Sequence, residues 1–185
     1  MTKRNFTTNG LLADSFKSLI EKKSIEKVTI KEITDGAGVI RPTFYNHFQD
    51  KYELIEWIIY ARILEPAMAP LRKGQYREAL FLSLTNIEKE KNLFTKLIKL
   101  DVPVSYEMIM TSSLKKFIKE VFPYSDRSYQ MQFKYVSPEM FDDYYATIFC
   151  YWIKKWVMYN FNLTPSDMAD LCIKLLATSM IDMMR

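Results

Sequence analysis

The chain has 185 residues, of which 49% are apolar and 26% charged, so it is long enough and apolar enough to bury a core. The low counts of 4 glycines and 7 prolines argue against a turn-rich all-β fold and favour helices. A net charge of +4 does not by itself establish a polyanionic partner, yet residues 1–51 carry nine basic and six acidic side chains, a difference of +3.

The first part of the chain predicts two helices. Leu12 and Phe16 belong to an apolar stripe that indicates a helix over Thr8–Lys22. A second helix is predicted to begin after Thr29, whose hydroxyl can accept from the amide of Glu32 while that carboxylate reaches back, as in a capping box.

A tight turn and a short helix follow. Gly38 suits the positive φ that ends a helix and lets the chain change direction. Pro42 is well tolerated at a first helical position and disfavours helical geometry in the residue before it, so a third helix is predicted over Pro42–Phe48. Phe44 and Phe48 share one face of this helix.

A longer helix is predicted next. Asp50 with Glu53 three residues later repeats the capping signature, and apolar spacing continues until Pro66. We expect this helix to join an amino-terminal domain of residues 1–50 to a helical body of residues 51–185.

The body is predicted to be a helical bundle, so the fold class is all-α. Pro66–Gly74 is interpreted as a break, and residues 123–137 have no clear period. The last two helices are predicted to start near Pro138 and at Pro165, the latter behind Thr164 as its cap. The other body helices are predicted over Gln75–Lys89, Lys91–Leu100 and Tyr106–Phe122.

The last two helices carry broad apolar stripes that need extensive cover. These stripes can cover each other across a two-fold axis in a four-helix bundle formed by two subunits, or they can be buried inside one chain. The sequence favours a homodimer, with candidate interface residues Phe149, Trp152, Trp156, Leu175 and Met180.

Three short helices with a glycine turn between the second and third form the arrangement in which the third helix enters the major groove of DNA. Arg41 can pair with a guanine edge, and Lys51 at the start of the next helix can hold the DNA backbone. A three-helix scaffold that merely has a polar surface is the alternative. With the two phenylalanines inward, the residues available to DNA are Arg41, Pro42, Thr43, Tyr45, Asn46 and His47.

Residues 27–54, KVTIKEITDGAGVIRPTFYNHFQDKYEL, resemble the signature of the TetR family of bacterial regulators. Beyond about Leu64, only the length and the all-helical pattern agree with that family. The resemblance implies a homodimeric transcriptional regulator that binds a near-palindromic DNA site and responds to a small molecule. The phosphate or base contacts that it implies are Thr29, Arg41, Pro42, Thr43, Tyr45, His47 and Lys51.

Three positions depart from the pattern of the family. Ile40 stands where a polar cap such as serine is usual, and Pro42 stands where a small residue is common, so no base preference is carried over. Thr34 occupies a site usually held by alanine, where two helices cross closely. The aromatic-rich carboxyl-terminal part further resembles regulators of dihydroxyacetone kinase operons, which implies a body that contacts a protein partner.

The residue inventory argues against an enzyme. The sequence has a single histidine, His47, already placed on the third helix, and it has no nucleophile or metal-ligand pattern around it. We therefore expect no cofactor and no metal. Cys150 and Cys172 lack a CxxC spacing and are predicted to be buried free thiols. The longest apolar run, Ile148–Ile153, stops at two lysines, so we expect a cytoplasmic protein without a membrane span.

Two forms of control remain open for the body. It can bind a small effector, or it can dock a second regulatory protein and act as a co-activator without a ligand of its own. Periodicity does not separate pocket residues from ordinary core among the aromatic side chains of the body. These are Trp57, Tyr60, Phe81, Phe94, Phe117, Tyr144 and Trp152.

Overall fold

The computed structural model describes residues 7–101, 103–121, 137–178 and 182. These residues form helices joined by short turns, with no strand in the described ranges. The predicted all-α fold is confirmed. Within the same ranges, no helix combines the length and the apolar character that crossing a membrane requires.

The amino-terminal part follows the predicted order of helices. A single 3-10 turn, Ile25–Lys27, lies between the first two. The helices are α1 (Thr8–Lys22), α2 (Ile30–Ala37), α3 (Arg41–Tyr45) and α4 (Lys51–Ile59).

Local hydrogen bonds set the ends of α2. The Thr29 hydroxyl accepts from the Glu32 amide at 3.3 Å, and the Glu32 carboxylate accepts from the Thr29 amide at 3.0 Å, so the predicted capping box is present. Gly38 has φ 69° and ends the helix in the left-handed region, as predicted. The chain therefore turns between α2 and α3 within a few residues.

Two phenylalanines fix α3 to the rest of this part of the chain. Phe44 is 0% exposed, and its ring centroid lies 5.7 Å from that of Phe48. Phe48 in turn packs edge-on against Trp57 of α4 at 6.3 Å. Phe16 of α1 belongs to the same buried cluster. Both phenylalanines are thus buried, as predicted, but Phe48 follows the end of α3 instead of lying on the helix.

The α1–α2 crossing is tight at Gly36. A Cβ atom added there would overlap the Ser15 hydroxyl, which donates to the Ile33 carbonyl at 2.7 Å. Thr34, which replaces the alanine usual in the resembling family, is buried as well, and its hydroxyl donates to the Ile30 carbonyl at 3.1 Å. Thr34 is accommodated because its polar atom is satisfied inside its own helix.

The sequence predicted one helix continuing from α4 to Pro66, but the structure shows an irregular connection there. The α-helix ends at Ile59, and a π-helical turn follows over Tyr60–Leu64, with the Glu65 amide donating to the carbonyl of Tyr60. A 3-10 turn over Glu65–Ala67 contains Pro66, whose nitrogen has no hydrogen to donate to a regular α-helix. A π turn inside a helix is often found at functional sites.

The body helices begin and end close to their predicted bounds, with two differences. The segment predicted as a break contains a short helix, and the helix predicted to end at Leu100 ends at Leu97. Residues 123–136 of the segment without a period lie outside the described residues. The helices are α5 (Met68–Arg72), α6 (Tyr76–Lys89), α7 (Lys91–Leu97), α8 (Tyr106–Val121), α9 (Pro138–Met158) and α10 (Pro165–Ala177).

The body packs in pairs, α8 on α9 and α6 on α10. The Tyr106 hydroxyl donates to the Cys150 carbonyl at 3.0 Å and links the first pair. The Arg77 guanidinium holds the Asp170 carboxylate at 2.6 Å and links the second. Cys150 and Cys172 are buried free thiols, as predicted, and burial raises the pKa of Cys172 to about 12.

Candidate nucleic-acid interface and internal cavity

The third helix is shorter than predicted, and this changes where two of its candidate residues lie. The helix ends at Tyr45, and Asn46 and His47 form the turn that follows it rather than its last positions. The Asn46 amide still donates to the carbonyl of Pro42 at 3.0 Å. Both turn residues are exposed, so the shortening leaves them accessible.

At the start of α3, the exposed side chains of Arg41 and Tyr45 contact each other. Arg41, Pro42 and Tyr45 are exposed, and Thr43 is half-buried. The Arg41 guanidinium donates to the Tyr45 hydroxyl at 3.2 Å and lies 5.9 Å from the centre of its ring. This contact holds the planar guanidinium beside the ring, which suits a two-pronged contact to a base edge or a phosphate.

Ile40 is the feature of this surface whose exposure the sequence did not predict. It precedes α3 and makes no side-chain cap, and it is 69% exposed. The sequence feature that could have indicated this exposure is an apolar residue at a position where a polar helix cap is expected. Beside a DNA groove, such a side chain can contact the methyl group of thymine.

Thr29 lies at the exposed start of α2, with its hydroxyl committed to the capping box. The Lys23 ammonium and the Thr29 amide and hydroxyl lower the pKa of the Glu32 carboxyl to about 2. A phosphate contact by Thr29 therefore has to share the hydroxyl with Glu32.

Lys51 has a structural role that the sequence did not predict. Its ammonium donates to the Glu26 carbonyl at 2.7 Å and to the Val28 carbonyl at 2.9 Å. Burial lowers the pKa of Lys51 from its ordinary value. Two of its three hydrogen-bond donors thus fasten the segment before α2 to the start of α4, so an exclusive role on the DNA backbone is not supported.

A cavity of about 570 Å³ lies in the body. Its described lining comes from the π turn and from α5, α6, α8, α9 and α10. Of the aromatic candidates named from the sequence, Phe117 and Trp152 line it. Phe94 is fully buried in the core instead, and Tyr144 is exposed. These two aromatics therefore do not contribute to the cavity.

The predicted dimer-interface residues occupy different environments. Leu175 is exposed, whereas Phe149 and Trp152 are half-buried and line the cavity. Trp156 is 2% exposed, because its ring packs on Phe161 within the same chain. Trp156 is therefore removed from the predicted interface. Met180, the remaining candidate, lies outside the described residues.

The exposed apolar side chains of α9 lie on the opposite side from those residues. Met140, Tyr144, Tyr151 and Met158 are exposed and fall within a sector of about 40° at the 100° step of an α-helix. Phe149, Trp152 and Trp156 lie roughly 120–180° away from Met140 on the same helix. The apolar stripe that α9 exposes is thus not the one that the sequence predicted for the interface.

A charged network joins the amino-terminal helix to the body. The Lys17 ammonium lies 2.6 Å from the Glu90 carboxylate, and the Arg62 guanidinium lies 2.8 Å from Asp14. Arg62 also lies 4.0 Å from Glu90, which connects the two pairs. The Lys96 ammonium of α7 donates to carbonyls at the end of α1, including that of Lys23 at 3.0 Å.

The amino-terminal part of the chain is similar to a described family. Residues 15–58 match the family model for "Bacterial regulatory proteins, tetR family". The HTH-type dhaKLM operon transcriptional activator DhaS of Lactococcus lactis subsp. lactis (strain IL1403) is 25% identical over 99 residues, which are 54% of this chain and 53% of that protein. The chain therefore spans about half the length of this curated relative.

Solved structures match over nearly the whole chain. A structure titled "Dihydroxyacetone kinase operon activator DhaS" has a TM-score of 0.58 at 19% identity and covers 94% of this chain and 96% of its own. The Thermus thermophilus FadR repressor in complex with lauroyl-CoA has a TM-score of 0.60 at 17% identity, covering 93% and 94%. At these identities the likeness shows the fold alone.

Proposed function

We propose that the chain is a member of the TetR family of bacterial regulatory proteins, whose family model its residues 15–58 match. We propose further that it binds double-stranded DNA as a homodimer and regulates transcription under the control of an effector in its body. The family comprises transcriptional regulators rather than enzymes. A regulator that binds the bacterial chromosome works in the cytoplasm, where we place this protein.

The observation that carries the proposal is the presentation of α3. Phe44 is completely buried, and this fixes the orientation of a helix whose exposed side carries Arg41 and Tyr45. A rigid anchor matters because base contacts require side chains to be held in a set geometry before DNA arrives. The exposed turn residues Asn46 and His47 extend the same surface.

Homodimerisation would set two such helices against one duplex. In helix-turn-helix dimers the two half-sites lie about 34–36 Å apart, in successive major grooves on one face of the DNA. The outward stripe of α9 and the exposed Leu171 and Leu175 of α10 are the surfaces that we assign to the second copy. An isologous interface of this kind predicts a near-palindromic operator.

The cavity supports an effector-controlled regulator. Ile63 and Leu64 of the π turn line it, while Arg62 of the same turn binds Asp14 of α1. We infer that an occupant changes the position of the π turn and, through Arg62, that of α1. A ligand acts in this way only if it binds one arrangement more tightly than the other.

A second candidate function rests on the relative named as a transcriptional activator of the dhaKLM operon. In that function, the body docks a second regulatory protein and the chain acts as a co-activator without a small ligand. The two functions can be distinguished by testing whether a small molecule or a protein changes the affinity of the chain for DNA. A pure small molecule supports the first, and a change seen only with a protein from the native lysate supports the second.

DNA binding is tested by substitutions at the α3 surface. We expect Arg41→Ala to relax base preference, and Tyr45→Ala to weaken binding to all sequences by a similar factor. Tyr159→Ala, which truncates an exposed tyrosine at the far end of α9, is the matched control and should bind as the unaltered chain does. Unchanged affinity and preference in both α3 variants would contradict the proposed interface.

A further inference from the structure

We propose that the body cavity takes an uncharged, largely apolar ligand, such as a medium-chain alcohol, and that it excludes ionised groups. This inference rests on the proposed function in one respect, because it names the chemical class of the effector.

The described lining carries no ionisable acid or base of the Asp, Glu, Lys, Arg or His type. A carboxylate, phosphate or ammonium that entered would lose its hydration without gaining an opposite charge, so its binding is disfavoured. Methylene and aromatic groups, by contrast, are stabilised when their apolar surface is removed from water. The lining therefore selects by charge.

The size of the cavity limits the ligand. Its volume of about 570 Å³ lies within the range of about 300–1,000 Å³ that is usual for small-molecule sites. At about 30 Å³ per water molecule, this volume equals that of roughly 19 waters. A chain of about ten carbons fits within it.

The polar side chains of the lining are neutral, and they include the hydroxyls of Tyr76, Ser83 and Tyr145. The half-buried Ser83 on α6 offers a hydroxyl that can both donate and accept. Aromatic rings from α8 and α9 also line the cavity and can cover an apolar chain; these are Phe117, Phe149 and Trp152. An alcohol can place its hydroxyl at Ser83 and its chain along these rings.

The first experiment compares three probes of equal chain length with the purified full chain at pH 8 and without DNA. The probes are 1-decanol, decanoate and decyltrimethylammonium, and their binding is measured by equilibrium dialysis and by tryptophan fluorescence, to which Trp152 in the cavity contributes. We expect 1-decanol to bind at least about tenfold more tightly than either ion, the factor that 1.4 kcal/mol produces. Equal binding of an ionised probe, or no binding of 1-decanol up to its solubility limit, would overturn the proposal.

A cavity-filling variant tests the location. Ala79 is buried and lines the cavity, so Ala79→Phe should weaken 1-decanol binding at least about tenfold. Ala69→Phe, at an exposed position of α5, is the matched control and should bind normally. Should Ala79→Phe fail to fold, Ser83→Phe supplies the same test from a half-buried position. Unchanged binding in a folded cavity variant would place the ligand elsewhere and overturn the proposal.

DNA affinity, measured on the same preparations without any probe, separates this inference from the proposed function. Binding of 1-decanol by a chain that binds no DNA would sustain the ligand class and overturn the proposed regulator. DNA binding by a chain that ignores 1-decanol would sustain the DNA-binding part and overturn the ligand class.

Discussion

At the start of α4, the Lys51 side chain crosses to the segment before α2 and binds the carbonyls of Glu26 and Val28. Lysines at the edge of a DNA-binding surface are usually interpreted as phosphate contacts, and the sequence predicted that role here. The partly buried ammonium instead stabilises the position of α2 relative to α4, because unpaired carbonyls would cost free energy.

We predict that Lys51→Met lowers the free energy of unfolding by about 1–2 kcal/mol, since carbonyls lose a charged hydrogen-bond donor. Urea denaturation followed by circular dichroism measures this change. Lys27→Met, at an exposed lysine nearby, is the control and should stay within about 0.5 kcal/mol of the unaltered chain. An unchanged midpoint for Lys51→Met would show that the two contacts do not stabilise the fold.

The Glu32 carboxyl predicts a pH dependence of stability. Its pKa is lowered from 4.5 to about 2, first by the Lys23 ammonium and then by Thr29, so the ionised form stabilises the fold. That contribution is complete above pH about 4.5 and is lost as the pH falls to about 2. Thermal unfolding should therefore show Glu32→Gln less stable than the unaltered chain at pH 7, with the gap shrinking towards pH 2.

The control for the pH series is Glu21→Gln, which removes an exposed carboxylate from α1. This variant should show a smaller difference at every pH. A gap for Glu32→Gln that stays constant between pH 7 and pH 2 would rule out the carboxylate as its source.

At the scale of elements, the π turn over Tyr60–Leu64 connects the two parts of the molecule. One side of it lines the cavity through Ile63 and Leu64, and the other reaches α1 through Arg62 and Asp14. This segment therefore contacts both the cavity and the amino-terminal helix. We therefore propose it as the coupling element.

We predict that Arg62→Met reduces the effect of 1-decanol on DNA affinity, measured as the ratio of the DNA Kd with and without the probe. Allosteric coupling of about 1–3 kcal/mol corresponds to ratios of about 5–150, and the variant should bring the ratio towards 1. Arg77→Met breaks an ion pair between α6 and α10 and is the matched control. A ratio preserved in Arg62→Met would exclude this route.

The structural features that could be predicted from the sequence are those determined by interactions between residues close together in the chain. The capping box of Thr29 with Glu32 and the left-handed Gly38 follow from local chemistry, and both are present. The pairing of Lys17 with Glu90 joins residues 73 positions apart, so no local pattern contains it. The buried side of α9 could not be predicted from the sequence either, because the helix carries apolar side chains on opposite faces, with Tyr151 on one and Trp152 and Trp156 on the other.

At the scale of the whole molecule, α9 leaves an apolar stripe without cover in the single chain. Tyr151 and Met158 of this stripe are exposed, and so is Leu175 of α10. Exposed apolar residues on one helix face are typical of a protein–protein interface. The buried Trp156 instead completes the core of its own chain.

We predict that the double variant Tyr151→Glu, Met158→Glu shifts the chain from dimer to monomer at micromolar concentration, because carboxylates in the centre of an isologous interface repel one another and lose their hydration. Light scattering measures the mass. Met108 of α8 is 57% exposed, as is Met158, so Met108→Glu is the matched control and should remain dimeric. A monomeric unaltered chain would contradict the proposed assembly itself.

We propose that α3, anchored by Phe44, contacts DNA as one of a symmetric pair of helices. Selection of bound duplexes from a random pool by the purified chain tests this arrangement. We predict an enriched inverted repeat whose half-sites lie about one helical turn, 34–36 Å, apart, with enrichment at the Arg41-contacted position lost in Arg41→Ala. A pool that stays random, or a motif unchanged by Arg41→Ala, would contradict it.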